Sequence, residues 1–354
     1  MALSETCART KLGTLPLQRL GIRKLAVFRA LQLGDMLCAV PALRALRAWL
    51  PDTHITLVGL PWAAQFASRF HAYIDDFIAF PGHPQFPEQP VRKEQVLDFY
   101  RVMTASGFDL ALQLHGSGDI SNGIVAAFGA RAVAGYATED SNTPHGFFVR
   151  YPDSGPEPLR LLNLANAIGA PPAGVHLEFP VTAADEAELR DSAVADIADG
   201  LEPGSYLCIH PGARLRNKCW APQRFAEVAD RLADESSLRI VLTGSGQEAD
   251  LTSAVASHMH NPAVNAAAPI SIGAMAALMR KGRLLISNDT GVSHIAAGLR
   301  LPSVVIFTIA DMSRWAPLDQ GLHRCLRDPE GAQVDAVVEH ARALLREHGH
   351  DSPA

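Results

Sequence analysis

The sequence lacks several features that mark whole classes of protein. It contains no run of about 18 apolar residues, so no membrane-spanning helix is predicted. Lys and Arg number 31 against 37 Asp and Glu, and the formal charge of −6 argues against a nucleic-acid-binding protein. No internal repeat or low-complexity tract is evident. With 48% hydrophobic and 19% charged residues, the chain has the composition of an ordinary folded protein.

Cysteine pairs are also missing. The five cysteines are an odd number, widely spaced and without a Cys-x-x-Cys pair, so we expect reduced thiols and no zinc site. They are Cys7, Cys38, Cys208, Cys219 and Cys325. The first residues do not contain the continuous apolar core of a signal peptide, and a cytoplasmic protein is therefore expected.

Positive charge is clustered only at the start of the chain. The basic residues there are Arg9, Lys11, Arg19, Arg23 and Lys24, against the single acid Glu5. One interpretation is a solvated terminal tail. The other is a weak attraction to anionic lipid, which predicts peripheral contact with the inner membrane.

Apolar strand patterns alternate regularly with helical patterns, which predicts α/β structure with parallel, doubly wound sheets. Strands are predicted at 24–29, 54–60, 77–80, 109–114, 206–210, 238–243, 264–266, 284–286 and 303–307. Helices are predicted at 36–50, 62–70, 91–106, 159–169, 184–198, 222–234, 247–258, 271–281 and 334–347. Pro41 implies that the first helix either begins near Val40 or is kinked.

A chain of 354 residues can form two domains, each with its own core. The Pro-rich and Gly-rich segment 170–174 is the clearest linker, and the predicted domains are residues 1–175 and 176–354. Two Rossmann-like halves, each presenting loops at the carboxyl ends of its strands, predict a ligand in a cleft between them.

The stretch 284–307 predicts a compact strand–helix–strand unit whose helix opens at Thr290 and Gly291. The N–H groups and the positive dipole end of such a helix suit a diphosphate. Asp289 is interpreted first as the cap of this helix, because a carboxylate beside an anion would repel it, and alternatively as a donor-binding residue that faces the phosphates. His294, one turn on, either reaches the same anion or is a packed histidine.

Asp35 follows the first predicted strand, where doubly wound domains carry functional loops. A carboxylate there is either a general base or a cap of the next helix. In the second half, Lys218 lies in a loop after a strand, and its ammonium suits a diphosphate leaving group. Arg214 and Arg216 are possible helpers. Ser245 and Glu248 form the pattern of a capping box.

Three stretches carry specific motifs. Residues 33–47 contain Gly34-Asp35 and Pro41, residues 210–225 contain His-Pro-Gly, Lys-x-Trp and Pro-x-x-Phe, and residues 286–297 contain Ser-Asn-Asp-Thr-Gly-Val-Ser-His. These stretches resemble glycosyltransferase family 9, the heptosyltransferase-like enzymes. The resemblance implies the two-domain arrangement called GT-B, with the acceptor on the first domain and the nucleotide sugar on the second.

The same resemblance implies roles for single residues. Asp35 would be the base, Lys218 would contact the diphosphate, and Glu248 would hold the ribose hydroxyls. The implied reaction is inverting, metal-independent transfer of a sugar, of the ADP-heptose type, from a nucleotide-diphosphate donor to a bacterial surface glycan or lipopolysaccharide-type acceptor. No cofactor and no metal site is implied, and no Asp-x-Asp motif is present.

The sequence departs from the family at two places. Residues 308–311 read Thr-Ile-Ala-Asp where a Gly-Pro-Thr turn is usual, and residues 115–119 lack an expected arginine, which suits a poorly charged acceptor. Two other functions stay open: a nucleotide-sugar epimerase on the same fold, and a non-catalytic nucleotide-sugar-binding protein.

Overall fold

The computed structural model describes residue 17 and residues 20–348, except for 140, 142 and 144. The chain divides into two compact units, Met1–Val175 and His176–Ala354, which we call the first and second domains. Cys7, Arg9, Lys11 and Arg19, with the expected lipid contact, lie outside the described residues. Within the described part, no helix combines the length and the apolar character needed to cross a bilayer.

The first domain is a parallel sheet with flanking helices. Its strands are β1 Lys24–Phe28, β2 His54–Gly59, β3 Asp76–Ala79, β4 Leu110–Gln113, β5 Ala132–Ala137 and β6 Phe147–Arg150. Its helices are α1 Leu33–Leu37, α2 Val40–Trp49, α3 Ala63–Arg69, α4 Lys93–Ser106, α5 Ser121–Ala126 and α6 Glu157–Ala167. The strand order is β3-β2-β1-β4-β5-β6. The order reverses between β1 and β4, and a doubly wound sheet opens a crevice at that point.

The second domain repeats this plan. Its strands are β7 Tyr206–His210, β8 Arg239–Leu242, β9 Ala263–Asn265, β10 Leu284–Asn288, β11 Ser303–Phe307 and β12 His323–Arg327. Its helices are α7 Ala183–Asp191, α8 Ala195–Asp199, α9 Pro222–Glu235, α10 Ala249–His258, α11 Ile272–Arg280, α12 Gly291–Leu299, α13 Met312–Trp315 and α14 Val334–Glu347. The order β12-β11-β10-β7-β8-β9 is the same topology, with its reversal between β7 and β10.

The inner strands of each sheet are buried on both faces, as is typical of parallel sheets, and the edge strands are partly exposed. In the first domain Phe28, Phe80 and Phe128 pack edge to face around the end of β1, with ring centroids 5.1 and 6.0 Å from Phe28. In the second domain Trp220 and Phe225 form a similar pair at 5.2 Å inside the core under α9 and α14. These observations confirm the predicted α/β fold with two Rossmann-like domains.

Several local predictions needed correction. The alternative in which a helix begins at Val40 with Pro41 in its first turn is right, and α1 precedes it as a separate short helix. Residues 184–198 form α7 and α8, not one helix. Strand β10 continues through Asn288, two residues beyond its predicted end, because Asn288 pairs with Ile306 on β11.

Candidate functional site

Asp35 lies on α1, which follows β1 at the reversal point of the first sheet. The N-caps of α1 and α2 are Gln32 and Ala39, so the interpretation of Asp35 as a helix cap is wrong. Asp35 is half-buried, and its carboxylate accepts no hydrogen bond within the part of the chain that is described. A carboxylate without a protein partner can take the proton of a hydroxyl bound beside it.

His115 follows β4, the strand beside β1. Its ring stacks on Phe28 and Phe86, with centroid distances of 5.4 and 4.4 Å, and its Nδ1 accepts the N–H of Ala30 at 3.2 Å. Burial, together with the Arg29 cation nearby, lowers the pKa of His115 to about 3. His115 is therefore neutral at pH 7 and adds no positive charge at this end of the first sheet.

Asp119 lies in the same loop as His115, separated from it in the chain by Gly116, Ser117 and Gly118. Its carboxylate accepts hydrogen bonds from the hydroxyls of Ser117, Thr138 and Ser141 at 2.7, 2.9 and 2.6 Å. These bonds lower the pKa of Asp119, which keeps it ionised. The loop that lacks the family's usual arginine thus carries a neutral imidazole and a negative charge.

In the second domain, Lys218 and Asp289 form an ion pair. Lys218 ends the 3-10 turn Arg216–Lys218 after β7, and Asp289 directly follows the neighbouring strand β10. Lys218 Nζ donates to Asp289 Oδ2 at 3.1 Å, and the lysine side chain is 30% exposed while the carboxylate is 8% exposed. The cation is therefore the partner that an incoming anion can reach.

The first turn of α12 lies beside this pair. Its N-cap is Thr290 and no side chain caps it, so the interpretation of Asp289 as the cap is wrong. Asp289 is engaged by Lys218 instead, a stronger, charge-assisted partner. Thr290 and Gly291 are half-exposed, and the opening N–H groups of a helix have no partner within it. The amino end of α12 can thus accept an anion.

Asn288 was not anticipated, yet it fixes the loop that carries Lys218. Its Oδ1 accepts the N–H of Trp220 at 2.8 Å, and its Nδ2 donates to the carbonyls of Pro211 at 2.8 Å and Gly212 at 3.4 Å. On the other side of the loop, Thr308 Oγ1 donates to the Lys218 carbonyl at 3.1 Å. A polar residue at the end of a buried strand was the available signal.

Glu248 forms the predicted capping box with Ser245. Its Oε2 accepts from the N–H and the hydroxyl of Ser245 at 2.9 and 2.8 Å, and its Oε1 lies 3.8 Å from Nε2 of the buried His210. A Cβ added at Gly212 would lie 2.0 Å from Glu248 Oε1. The glycine therefore lets the carboxylate lie directly against the loop that follows β7.

The remaining candidates are placed less favourably. Arg214 is exposed, and Arg216 pairs with Asp250 at 3.0 Å on the surface. His294 is buried within α12, which matches the interpretation of a packed histidine. No group of three or more His, Cys, Asp and Glu able to hold a metal ion occurs among residues that the structure describes.

A family model described as glycosyltransferase family 9 (heptosyltransferase) matches residues 96–341. The chain belongs to this family. It is similar to lipopolysaccharide heptosyltransferase 3 of Escherichia coli, with 31% identity over 116 residues, which are 32% of this chain and 34% of that protein. Lipopolysaccharide heptosyltransferase 1 of Pseudomonas aeruginosa is 28% identical over 107 residues, 30% of each chain. These matches span about a third of the length of the curated relatives.

Solved structures of family 9 share the fold over most of the chain. The family 9 glycosyl transferase from Veillonella parvula has a TM-score of 0.76 at 20% identity, covering 92% of this chain and 97% of that one. ADP-heptose lps heptosyltransferase II of E. coli has a TM-score of 0.71 at 18% identity, covering 93% and 100%. The resemblance to family 9 is thereby confirmed, and the family model covers two of the three sequence motifs, residues 210–225 and 286–297.

Proposed function

We propose that this chain is an inverting, metal-independent glycosyltransferase that moves a heptose-type sugar from a nucleotide-diphosphate donor to a bacterial surface glycan or lipopolysaccharide-type acceptor. Membership of family 9 and the heptosyltransferase names of its relatives support the reaction class. The observation that carries the proposal is the Lys218 ammonium beside the open amino end of α12, because a departing diphosphate needs positive charge at that moment.

The second domain binds the donor. Lys218 exchanges part of its contact with Asp289 for the diphosphate, and the N–H groups at Thr290 and Gly291 bind its oxygens. Asp289 holds Lys218 in place before the donor arrives, and His294 supports the helix. Glu248 accepts from the ribose hydroxyls while it keeps its bonds to Ser245. No cofactor and no metal ion takes part, because the lysine and the helix end supply the charge.

The first domain binds the acceptor. Asp35 takes the proton from the acceptor hydroxyl, whose oxygen attacks the anomeric carbon of the donor sugar. A new carbon–oxygen bond forms as the bond to the diphosphate breaks, and the electron pair leaves with the nucleotide. A single displacement of this kind inverts the anomeric centre. The neutral His115 and the ionised Asp119 favour an acceptor that is poorly charged where it meets this loop.

The test is to incubate the protein with ADP-heptose, first alone and then with lipopolysaccharide-type acceptors, and to follow both by mass spectrometry and NMR. We expect heptose on the acceptor with an inverted anomeric centre, unaffected by EDTA. An isomerised donor in the absence of acceptor would establish the epimerase instead. Thermal stabilisation by the donor without turnover would establish a binding protein.

We also propose that the protein is cytoplasmic and that the basic residues 9–24 bring it to the inner membrane. Co-sedimentation with anionic liposomes should then weaken on deletion of residues 1–20. Equal binding by the full and shortened chains would refute the lipid contact.

A further inference from the structure

Arg29 directly follows β1, and its side chain is fully buried. The guanidinium donates to three different parts of the first domain. Nε donates to the backbone carbonyl of Asp35 at 2.9 Å, Nη1 donates to the carbonyl of Leu114, and Nη2 donates to Glu157 Oε1 at 3.1 Å. One side chain thus joins the ends of β1 and β4 to α1 and α6.

The backbone carbonyl of Asp35 accepts its hydrogen bond from Arg29 and not from the helix. At the end of α1, the N–H of Cys38 bonds to Gly34 O, while the N–H of Ala39 turns to Met36 O, one residue past Asp35. The break between α1 and α2 therefore deprives the Asp35 carbonyl of its usual helical partner. Arg29 Nε supplies the missing hydrogen bond and ties this residue to the sheet.

Glu157 supplies the negative charge that compensates the buried guanidinium of Arg29. It is the first residue of α6, 3% exposed, and its carboxylate also benefits from the positive end of that helix. A buried guanidinium without a counter-charge would be strongly destabilising. Helix α6 also packs against α2, the helix that follows α1. The segment that carries Asp35 is therefore held both by Arg29, which pairs with Glu157 on α6, and by the packing of α2 on α6.

We propose that Arg29 and Glu157 are positioning residues, which hold α1 so that the Asp35 carboxylate keeps one orientation for the acceptor hydroxyl. The proposal rests on the assignment of Asp35 as the base. Arg29 acts on the main chain of Asp35, and among the residues that the structure describes none binds the carboxylate itself. Misplacement of a catalytic group by about 1 Å can cost about 100-fold in rate.

Lysine cannot replace this arginine. A lysine keeps the positive charge, but its single ammonium group cannot reproduce the planar fork that reaches three separated acceptors. Arg29→Lys therefore keeps the pairing with Glu157 possible and removes the anchor on Asp35. Glu157→Gln keeps an oxygen acceptor and removes only the counter-charge, so its effect should be smaller.

The matched control is Arg47. It also donates to several backbone carbonyls, including those of Pro51 and Thr53 at 3.1 and 2.8 Å, and it pairs with Asp75 at 2.5 Å. These partners precede β2 and β3, at the opposite edge of the same sheet. Arg47→Lys should therefore reduce the melting temperature without changing how Asp35 is held.

Kinetics with ADP-heptose and acceptor distinguish positioning from general weakening. Arg29→Lys should lower kcat about 10–100-fold with an unchanged KM for the donor, Glu157→Gln should lower it less, and Arg47→Lys should leave it unchanged. An unchanged kcat in Arg29→Lys, or an equal fall in both arginine variants, overturns the proposal.

A second readout does not need turnover. Cys38 is the C-cap of α1 and is fully buried. The rate at which iodoacetamide alkylates Cys38 therefore reports how often α1 moves away from the domain core. We expect faster modification of the Cys38 peptide in Arg29→Lys and wild-type rates in Arg47→Lys. Unchanged rates in both overturn the anchoring. If the wild-type protein transfers no sugar, the proposed function fails while this measurement still decides on the anchor.

Discussion

The two domains share one strand order but present opposite chemistry at the reversal point of their sheets. In the first domain Arg29 and Glu157 pair with each other below the surface, and no described residue donates a hydrogen bond to the Asp35 carboxylate. In the second domain the more exposed member of the Lys218–Asp289 ion pair is the cation, and its partner carboxylate is buried. Each domain has a reversal point at the same position in its sheet, and the residues at the strand ends determine what can bind there.

The domains also differ in how the key residue is held. Asp35 is fixed through its backbone, whereas Lys218 is held by its side chain and by a loop that Asn288 and Thr308 bind from two sides. Substitutions should therefore separate activity from stability in the first domain and couple them in the second.

The largest expected effect concerns Asp35. Asp35→Asn should reduce turnover about 10²–10⁴-fold, because the proposed base is lost, with an unchanged melting temperature and unchanged donor binding. The control is Asp109→Asn at the other end of the sheet, where the carboxylate accepts from Arg23 and Lys24 N–H groups and pairs with Arg131 at 2.7 Å. That variant should lose stability and keep its turnover. Rapid sugar transfer by Asp35→Asn would contradict the role of Asp35 as the base, and with it the proposed difference between the two domains.

Lys218→Met should lower kcat about 10²–10³-fold, because it removes the cation that we propose stabilises the leaving diphosphate. It should also destabilise the protein, since Asp289 would remain buried without a partner. Lys281→Met, in the cap that ends α11 before β10, is the matched control and should change neither quantity. Steady-state kinetics and urea unfolding measure the two effects.

Asn288→Ala tests whether the loop itself is held as tightly as proposed. It removes the bonds to Trp220, Pro211 and Gly212, and each buried group left unpaired costs about 1–3 kcal/mol. We expect a lower midpoint of urea unfolding and a raised KM for the donor. Asn265→Ala, which loses one exposed bond at the end of β9, should have little effect.

Gly212→Ala should weaken donor binding and also destabilise the protein. The new Cβ would force the Glu248 carboxylate away from its place, and such overpacking costs about 1–3 kcal/mol. The KM for the donor should rise with little change in kcat. Gly246→Ala is the control in the turn that carries Glu248; a Cβ there would meet Pro269 at an ordinary 3.5 Å, and the variant should behave as the wild type. Equal KM values in the two variants would argue against a role for Glu248.

The smallest effect is on pH dependence, and both domains contribute. Burial lowers the pKa of His115 to about 3 and that of His323 to about 4, from an ordinary value near 6.5. The unfolded chain therefore binds more protons than the folded one below pH 6.5, so stability falls as pH drops towards these values. His115→Gln and His323→Gln should each flatten the decline measured by urea unfolding between about pH 6.5 and 4.

Apolar pattern was sufficient to predict most of the fold. The limits of β7 at 206–210 and α14 at 334–347 agree with the structure, because each combines a clear pattern with a sharp boundary. Helices α5 and α13 were missed because they are short and lack helical periodicity. Strand β12 was missed because its sequence, His-Arg-Cys-Leu-Arg, is polar for an edge strand of a buried sheet.

The site was harder to predict, since its details depend on partners far apart in the chain. The motifs indicated Asp35, Lys218 and Glu248, but Asp289 was assigned a local role as a cap while its actual partner lies 71 residues away. Likewise the sequence shows an arginine at the end of β1 without showing which of its donors reaches which carbonyl. Such choices are made by tertiary contact, which local propensity does not encode.

The way Asp35 is held has a practical consequence. No described residue contacts the Asp35 carboxylate, so one mutation can exchange it without harm to folding; if Asp35 is the proposed base, its loss along a lineage would leave the proposed donor site intact. In the laboratory, an inert Asp35→Ala protein should keep both substrates unreacted long enough for crystallography to capture them together.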